Sequence, residues 1–219
     1  ESGRPRKVVV TSDIAAGLAS ADVLVDFTVA EASVCHVRAA AELHKPAVVG
    51  TTGFNDHQKM ELASFVNRVA LVWAPNMSIG VNLLFKITEE VARILGLGYN
   101  VEIVETHHAL KKDSPSGTAI RLAERAAEAL GLDMNAEVIY GRHGILGPRP
   151  TRQIAIHALR GGDVVGDHTV CFIGKGERIE LTHRAHSRDT FAQGALRAAR
   201  FALTAPPGLY DMQDVLGLK

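Results

Sequence analysis

The sequence predicts an α/β fold in two parts, a partial, doubly wound parallel sheet and an α+β segment with a mixed sheet, and three observations support it. Apolar runs at Asp22 to Phe27, Pro46 to Gly50 and Val69 to Trp73 alternate with helical patterns, the order that yields parallel strands. Beyond Glu137 the pattern changes to closely spaced strand-like runs joined by the turn-forming stretches R-G-G-D and G-K-G-E. Between the two parts, Val101 to Ala119 reads as a strand, a basic loop and a helix start.

In chain order, the polar opening Glu1 to Lys7 leads into a short apolar run, Val8 to Val10. Asp22 to Phe27 is expected to be a buried strand. Val29 to Leu43 follows as a helix with apolar positions at Val29, Ala32, Val37, Ala40 and Leu43. Pro46 ends that excursion and begins the second strand. Asn55 is placed to cap a helix running through Val66, and Val69 to Trp73 is the third strand. Ligands of such sheets lie beyond the carboxyl ends of the strands. That rule sets Phe27 and Thr28, then Gly50, Thr51, Thr52 and Gly53, then Ala74, Pro75, Asn76 and Met77, along one rim. The G-T-T-G tetrapeptide would let a flat ligand lie against backbone, with hydroxyls and amides for a ribose or nicotinamide. A tight strand-to-helix turn explains the same residues equally well. Ser78 to Leu95 is an apolar helix, with Ile79, Leu83, Ile87, Val91 and Leu95 about one turn apart, and is expected to join the two parts.

The central stretch carries the chemistry. Val101, Ile103 and Val104 suit a half-buried strand, His107, His108 and Lys111 follow its exit, and Asp113, Ser114 and Pro115 break the chain. Ser116, Gly117 and Thr118 then open a helix that runs to Gly131. A helix start leaves backbone N–H groups unpaired and carries partial positive charge, so it favours a carboxylate or phosphate. Gly117 permits close approach. Imidazoles and an ammonium beside it would add charge or give up a proton to a reacting atom. Residue by residue, a capping serine, ordinary loop histidines and solvated lysines are the plainer explanation. Their concentration in one short stretch is what argues for a proton-donating site for an acidic small molecule.

After that helix, strands are expected at Glu137 to Tyr140, Gln153 to Leu159, Val164 to Ile173 and Arg178 to Ala185, in one mixed sheet with the strand at Val101. A basic loop, Arg142 to Arg152, lies among them. Alternation at Ile154, Ile156 and Ala158 fits either covering helices or a subunit interface. Asp189 to Leu203 is a final helix, and Pro206-Pro207-Gly208 leads into a short tail.

Composition narrows the function classes. The 219 residues are 47% hydrophobic and carry 24 basic against 24 acidic side chains, so nothing draws the chain as a whole to nucleic acid or to a membrane. No run of 18 apolar residues is present. Cys35 and Cys171 are too few for a disulfide framework and are expected to be buried thiols in a reducing compartment. The ten histidines show neither H-E-x-x-H nor other ligand spacing, and no metal site is expected.

The run E-T-H-H-A-L-K-K-D-S-P-S-G-T-A, from Glu105 to Ala119, resembles the signature of the 4-hydroxy-tetrahydrodipicolinate reductase (dihydrodipicolinate reductase) family, NAD(P)H-dependent enzymes of lysine biosynthesis. The family usually has Ala where Ser114 stands. Further blocks match in order: D-F-T at Asp26, G-T-T-G at Gly50, N-M-S-I-G-V-N at Asn76, R-G-G-D at Arg160 and G-L-Y-D-M at Gly208. The likeness covers essentially the whole chain.

This resemblance implies a partial Rossmann-like nucleotide domain, residues 1–77 with 187–219, and a substrate and oligomerisation domain, residues 78–186. It implies NADH or NADPH as cofactor, held by Phe27, Thr28, Gly50, Thr51, Thr52, Ala74, Pro75, Asn76 and Met77, with Arg188 and Phe191 approaching from the last helix. A surface Arg and a core Phe are equally natural for those last two. The implied substrate is a small cyclic dicarboxylate, bound by His108, Ser116, Gly117 and Thr118. His107 and Lys111 are the implied catalytic pair, Lys111 the final proton donor and His107 tuning or relaying. The reaction implied is reduction of 4-hydroxy-tetrahydrodipicolinate with loss of water, in a cytoplasmic homotetramer. No glycine-rich strand-to-helix turn precedes Asp22, although the family keeps its pyrophosphate loop in such a unit. Because Glu1 stands where an initiator Met would, the chain is expected to be a piece of a longer protein. The competing expectation is a non-catalytic dicarboxylate-binding module with a decayed nucleotide site.

Overall fold

The computed structural model describes residues 10–219, so of the apolar run Val8 to Val10 only Val10 falls within it. The chain forms two compact units, residues 10–77 with 193–217, and residues 78–192 with 218.

In the first unit, β1 (Leu24–Asp26), β2 (Ala47–Val49), β3 (Ala70–Trp73) and β9 (Gly208–Tyr210) make a four-stranded parallel sheet in the order β1-β2-β3-β9. Alternation along the strands sends side chains to two separate cores. Ala47, Val49 and Leu71 pack with Leu18 of α1 (Ile14–Ala19), with Val34 and Val37 of α2 (Ala30–Glu42) and with Leu62 of α3 (Asp56–Ser64). Val48, Ala70 and Val72 pack on the other face with Ala195, Ala198 and Ala202 of α6 (Asp189–Ala202) and Met212 of α7 (Met212–Leu216). Asn55 caps α3 in a reciprocal box with Gln58.

Several expectations are corrected here. Val25 is 43% exposed among the described residues, so the first strand is not buried throughout. The buried stripe of α2 is Ala30, Ser33, Val34, Val37, Ala40 and Ala41, which keeps the expected Val37 and Ala40, while Val29 and Leu43 are exposed because they are the cap residues and lie outside the helix. Cys35 lies on the opposite, exposed side of α2, and Cys171 is only half-buried. The supposed tail is β9 and α7. Three residues sufficed for the strand because β3 offered a free parallel edge, with Ala70, Leu71 and Val72 in register with Gly208, Leu209 and Tyr210. Helix α1, capped by Asp13, had no strong apolar period to announce it.

In the second unit, β4 (Asn100–His107) is the middle strand of a mixed sheet with β5 (Val138–Tyr140), β6 (Ile154–Arg160), β7 (Gly166–Ile173) and β8 (Arg178–Ala185), in the order β5-β6-β4-β7-β8. It runs parallel to β6 and antiparallel to β7. One face is covered by α4 (Ile79–Leu95) and α5 (Gly117–Leu130), whose Phe85, Ala119, Leu122 and Ala126 bury Val101, Ile103, Ile154, Ile156 and Phe172. The buried stripe of α4 is Val81, Leu84, Phe85, Thr88 and Ala92. Leu83 and Ile87, from the expected stripe, are 43% and 37% exposed. Helix α4 is apolar over more than one face, so spacing alone found the margin of the buried face, where Val91 and Leu95 pack against the core, and missed its centre. Gly131 ends α5 in the left-handed conformation, φ 64°. The boundary between the units falls inside α6, between Ala192 and Gln193, later than residue 187.

Candidate functional site

Strand β4 positions the chemistry by simple alternation. Its inward face reads Val101, Ile103, Glu105, His107, so it is apolar at the start and ionisable at the carboxyl end. Glu105 is therefore fully buried, and every partner it has is a donor. Its Oε1 accepts from the Ser116 amide at 3.0 Å and from Arg160 Nη2 at 2.9 Å, and its Oε2 accepts from Arg160 Nη1 at 2.8 Å. His107 Nδ1 lies 2.6 Å from the same Oε2. Register explains the convergence, since His107 faces Arg160 across β6 and Glu105 faces His168 across β7. Burial pushes the Glu105 carboxyl up, but the hydrogen bonds from Arg160, His107 and Ser116 outweigh it and hold the group below its ordinary range.

Ser116 is the N-cap of α5. Its Oγ accepts from the Ala119 amide at 3.1 Å and pairs with His168 Nε2 at 2.9 Å. His168 is 4% exposed, and burial, reinforced by the nearby His107, lowers its pKa to about 3, so it is neutral. Its ring stands edge-on to that of His107, centroids 5.1 Å apart, and its Nδ1 has no partner among the described residues. A buried lone pair is less costly to leave unmet than a buried N–H, which puts the His168 proton on Nε2, donated to Ser116 Oγ. Oγ then accepts two hydrogen bonds, one from His168 and one from the Ala119 amide. Gly117, the first helical residue, is exposed, with open space where a side chain would stand.

His108 is half-buried just past the strand, its amide donating to the Val164 carbonyl at 2.8 Å. Lys111 Nζ reaches both oxygens of Asp113 at 2.8 Å, a pairing that lowers the Asp113 pKa, and Arg160 Nη2 holds the Asp113 carbonyl at 2.8 Å. Lys112 is exposed. The fold thus gathers His107, His108, Lys111, Ser116, Gly117 and Thr118 at one end of β4 and the start of α5. Glu105, Arg160 and His168 escaped the sequence reasoning. In the sequence Arg160 is marked only as the first residue of a turn, whereas the E-x-H alternation on an apolar strand is a usable signal for Glu105.

The rim of the first unit has its own buried carboxylate. Asp26 Oδ1 accepts from the Thr28 amide and hydroxyl at 2.8 and 2.7 Å and from the Ser33 hydroxyl at 2.8 Å, with the Thr51 hydroxyl at 3.1 Å. His36 Nδ1 lies 2.6 Å from Oδ2, and Ser33 Oγ lies 2.7 Å from Thr51 Oγ1. Burial pushes Asp26 up, yet Thr28, His36 and Ser33 hold it below the usual range. Thr51 is 4% exposed, with its hydroxyl inside this network. Phe27 is 50% exposed and lies over Gly50, where a Cβ would sit 2.2 Å from the ring. Thr52 and Pro75 are exposed, Asn76 is half-buried, and Ala74 and Met77 are core residues. The Phe27 ring thus covers Gly50, and Gly53 beyond it adopts a left-handed backbone, φ 82°. Arg188 is exposed and Phe191 half-buried at the start of α6, in the second unit.

Comparison with known proteins gives this geometry a context. Residues 2–77 match the model for the N-terminus of dihydrodipicolinate reductase and residues 80–216 the model for its C-terminus. The chain belongs to the dihydrodipicolinate reductase family. A 4-hydroxy-tetrahydrodipicolinate reductase of Anaeromyxobacter dehalogenans is 55% identical over 217 residues, 99% of this chain and 80% of that protein. One of Syntrophus aciditrophicus is 52% identical over 98% of this chain and 80% of its own length. Among solved structures, a dipicolinate-bound dihydrodipicolinate reductase from Paenisporosarcina sp. TG-14 superposes with a TM-score of 0.76 at 24% identity, over 93% of this chain and 77% of that one, and so shares the fold. Within this family the two-unit architecture, with a parallel sheet and a mixed sheet, is the expected one.

Proposed function

We propose that this chain carries out the NADH- or NADPH-dependent reduction of 4-hydroxy-tetrahydrodipicolinate to tetrahydrodipicolinate, in the diaminopimelate route to lysine. Membership of the reductase family makes it an oxidoreductase, and the family's reductases use a pyridine nucleotide. The observation that carries the reading for this chain is the constellation at the start of α5. A capped helix N-terminus with an exposed glycine at its first position, and His107 with Nδ1 on Glu105, together suit a carboxylate beside a proton donor.

In this reading Ser116, Gly117 and Thr118 bind one carboxylate of the cyclic substrate, and His108 adds positive charge. Reduced nicotinamide, when bound at the Phe27, Thr28, Gly50 to Thr52 and Ala74 to Met77 rim, supplies the hydride. Lys111 and His107 deliver the proton that neutralises the charge developing on the ring. Lys111 is held by Asp113 in a two-oxygen ion pair and acts when substrate draws it away. His107 presents Nε2, since Nδ1 is committed to Glu105. The enzyme is proposed to work in the cytoplasm as a homotetramer.

The test is to follow oxidation of NADH and NADPH by the full-length protein with substrate, alongside calorimetric binding of both nucleotides and of pyridine-2,6-dicarboxylate. Turnover that pyridine-2,6-dicarboxylate inhibits competitively supports the proposal. Dicarboxylate binding without nucleotide binding or turnover overturns it in favour of a binding module. Sedimentation of the same sample tests the tetramer.

A further inference from the structure

We propose that the buried Glu105–Arg160 pair is the positioning device of this site: Glu105 fixes the tautomer of His107, and Arg160 cancels the charge that Glu105 would otherwise turn against a dianionic substrate. The inference rests on the reading above and deepens it, since neither residue touches substrate in that reading.

Glu105 joins the three segments that build the site. It holds His107 on its own strand, the Ser116 amide at the start of α5, and Arg160 at the end of β6, while Arg160 reaches on to the Asp113 carbonyl in the Lys111 loop. A carboxylate can only accept, so His107 must carry its proton on Nδ1, and Nε2 is left as the reactive nitrogen. Gly166 keeps that nitrogen accessible, because a Cβ there would stand 3.0 Å from His107 Nε2.

An unpaired carboxylate this close to the helix start would oppose binding of a dicarboxylate. Two parallel hydrogen bonds from Arg160 make the pair neutral as a unit. The site therefore keeps the geometric benefit of a buried acceptor without its repulsion.

The two halves of the pair should therefore fail in different ways. Glu105→Gln puts an amide donor near His107 or Arg160 and leaves Arg160 uncompensated. It is expected to lower kcat on the order of 10- to 100-fold without weakening pyridine-2,6-dicarboxylate. Arg160→Gln removes a positive charge and is expected to raise the dissociation constant of that probe roughly tenfold. The double variant Glu105→Gln/Arg160→Gln restores charge balance, so the probe's affinity returns toward wild type while kcat stays low. Equal losses of affinity in both single variants, with kcat unchanged, would overturn the proposal.

Should the variants fail to fold, the wild-type protein still decides. Long-range proton–nitrogen spectra of His107 should place the proton of the neutral ring on Nδ1, and a proton on Nε2 refutes the assignment. A wild-type protein that neither turns over nor binds dicarboxylate would instead sink the functional reading itself.

Discussion

His168 makes a quantitative prediction about stability and pH. Burial lowers its pKa to about 3, against 6.5 for a free imidazole. Between those two values the unfolded chain holds a proton that the folded chain refuses, so stability from this group is complete above pH 6.5 and falls as pH drops toward 3. From pH 7 to pH 5 the loss is about 2 kcal/mol, because roughly 1.5 pH units lie below the unfolded pKa at 1.36 kcal/mol each. Carboxylates such as Glu102, with a pKa of about 2, and Glu105 contribute to the pH dependence as well. They cancel when wild type is compared with His168→Gln, which keeps an amide donor toward Ser116 but cannot titrate.

The comparison calls for urea unfolding at pH 7 and pH 5. The single Trp, Trp73, belongs to the first unit, so fluorescence would report on the wrong place. Amide exchange of β4 and β7 across the urea series reports on the unit that holds His168. Wild type should lose about 2 kcal/mol more than His168→Gln between the two pH values. Equal losses would mean that His168 charges without penalty in the folded state, and the neutral, Nε2-protonated ring argued for Ser116 would be wrong.

Three further outcomes are expected. Lys111→Ala and His107→Ala should each cut turnover by roughly 100-fold while nucleotide dissociation constants stay within about twofold, since general acid groups contribute in that range; parallel losses of both quantities would argue against the roles. Ser116→Ala removes the cap of α5 and a buried partner of His168, for about 2 to 4 kcal/mol of stability and a weaker pyridine-2,6-dicarboxylate complex, whereas Ser116→Thr should retain most of both by calorimetry. Gly194→Ala would set a Cβ 1.7 Å from the Met77 carbonyl oxygen, and the first unit should lose about 3 kcal/mol or more in urea followed by Trp73 fluorescence; an unchanged midpoint would show that α6 slides at no cost.

How much of this was legible in the sequence depended on whether a residue's environment was local. Strands β2 and β3, the Asn55 and Ser116 caps and the Gly131 stop all follow from short patterns, and the structure has them within a residue or two of the expected bounds, whereas β4 runs on to His107, past the exit expected after Val104. The stripe of α4 did not follow. Its helix carries apolar residues on more than one side, and only the position of α5 selects Val81, Leu84, Phe85 and Ala92. Strand β9 was illegible for the same reason, because three residues become a strand only when β3 presents an edge. Around the site, His107, His108, Lys111 and Ser116 announced themselves by proximity in sequence. Arg160 and His168 reach Glu105 and Ser116 through strand pairing, across separations that no local pattern encodes.

Each unit has a buried carboxylate near the carboxyl end of a strand, Asp26 on β1 and Glu105 on β4, and the repetition has a physical cause. At the carboxyl end of a strand the covering helix begins, so amide and hydroxyl donors converge there and the apolar core cannot satisfy them. A carboxylate fills that need with up to four accepting positions, and both groups are held ionised by donors that outweigh the cost of burial. The arrangement fixes the loops around it, Thr28 with Thr51 in one unit and Ser116 with His107 in the other. Removing one donor from such a hub leaves the charge in place and the cost unpaired, which is why the hubs should tolerate substitution less well than Phe27, Thr52, Pro75 and Gly117, exposed members of the sets proposed to meet cofactor and substrate. In each unit the rigid part of the site is therefore a residue that the ligand need never touch.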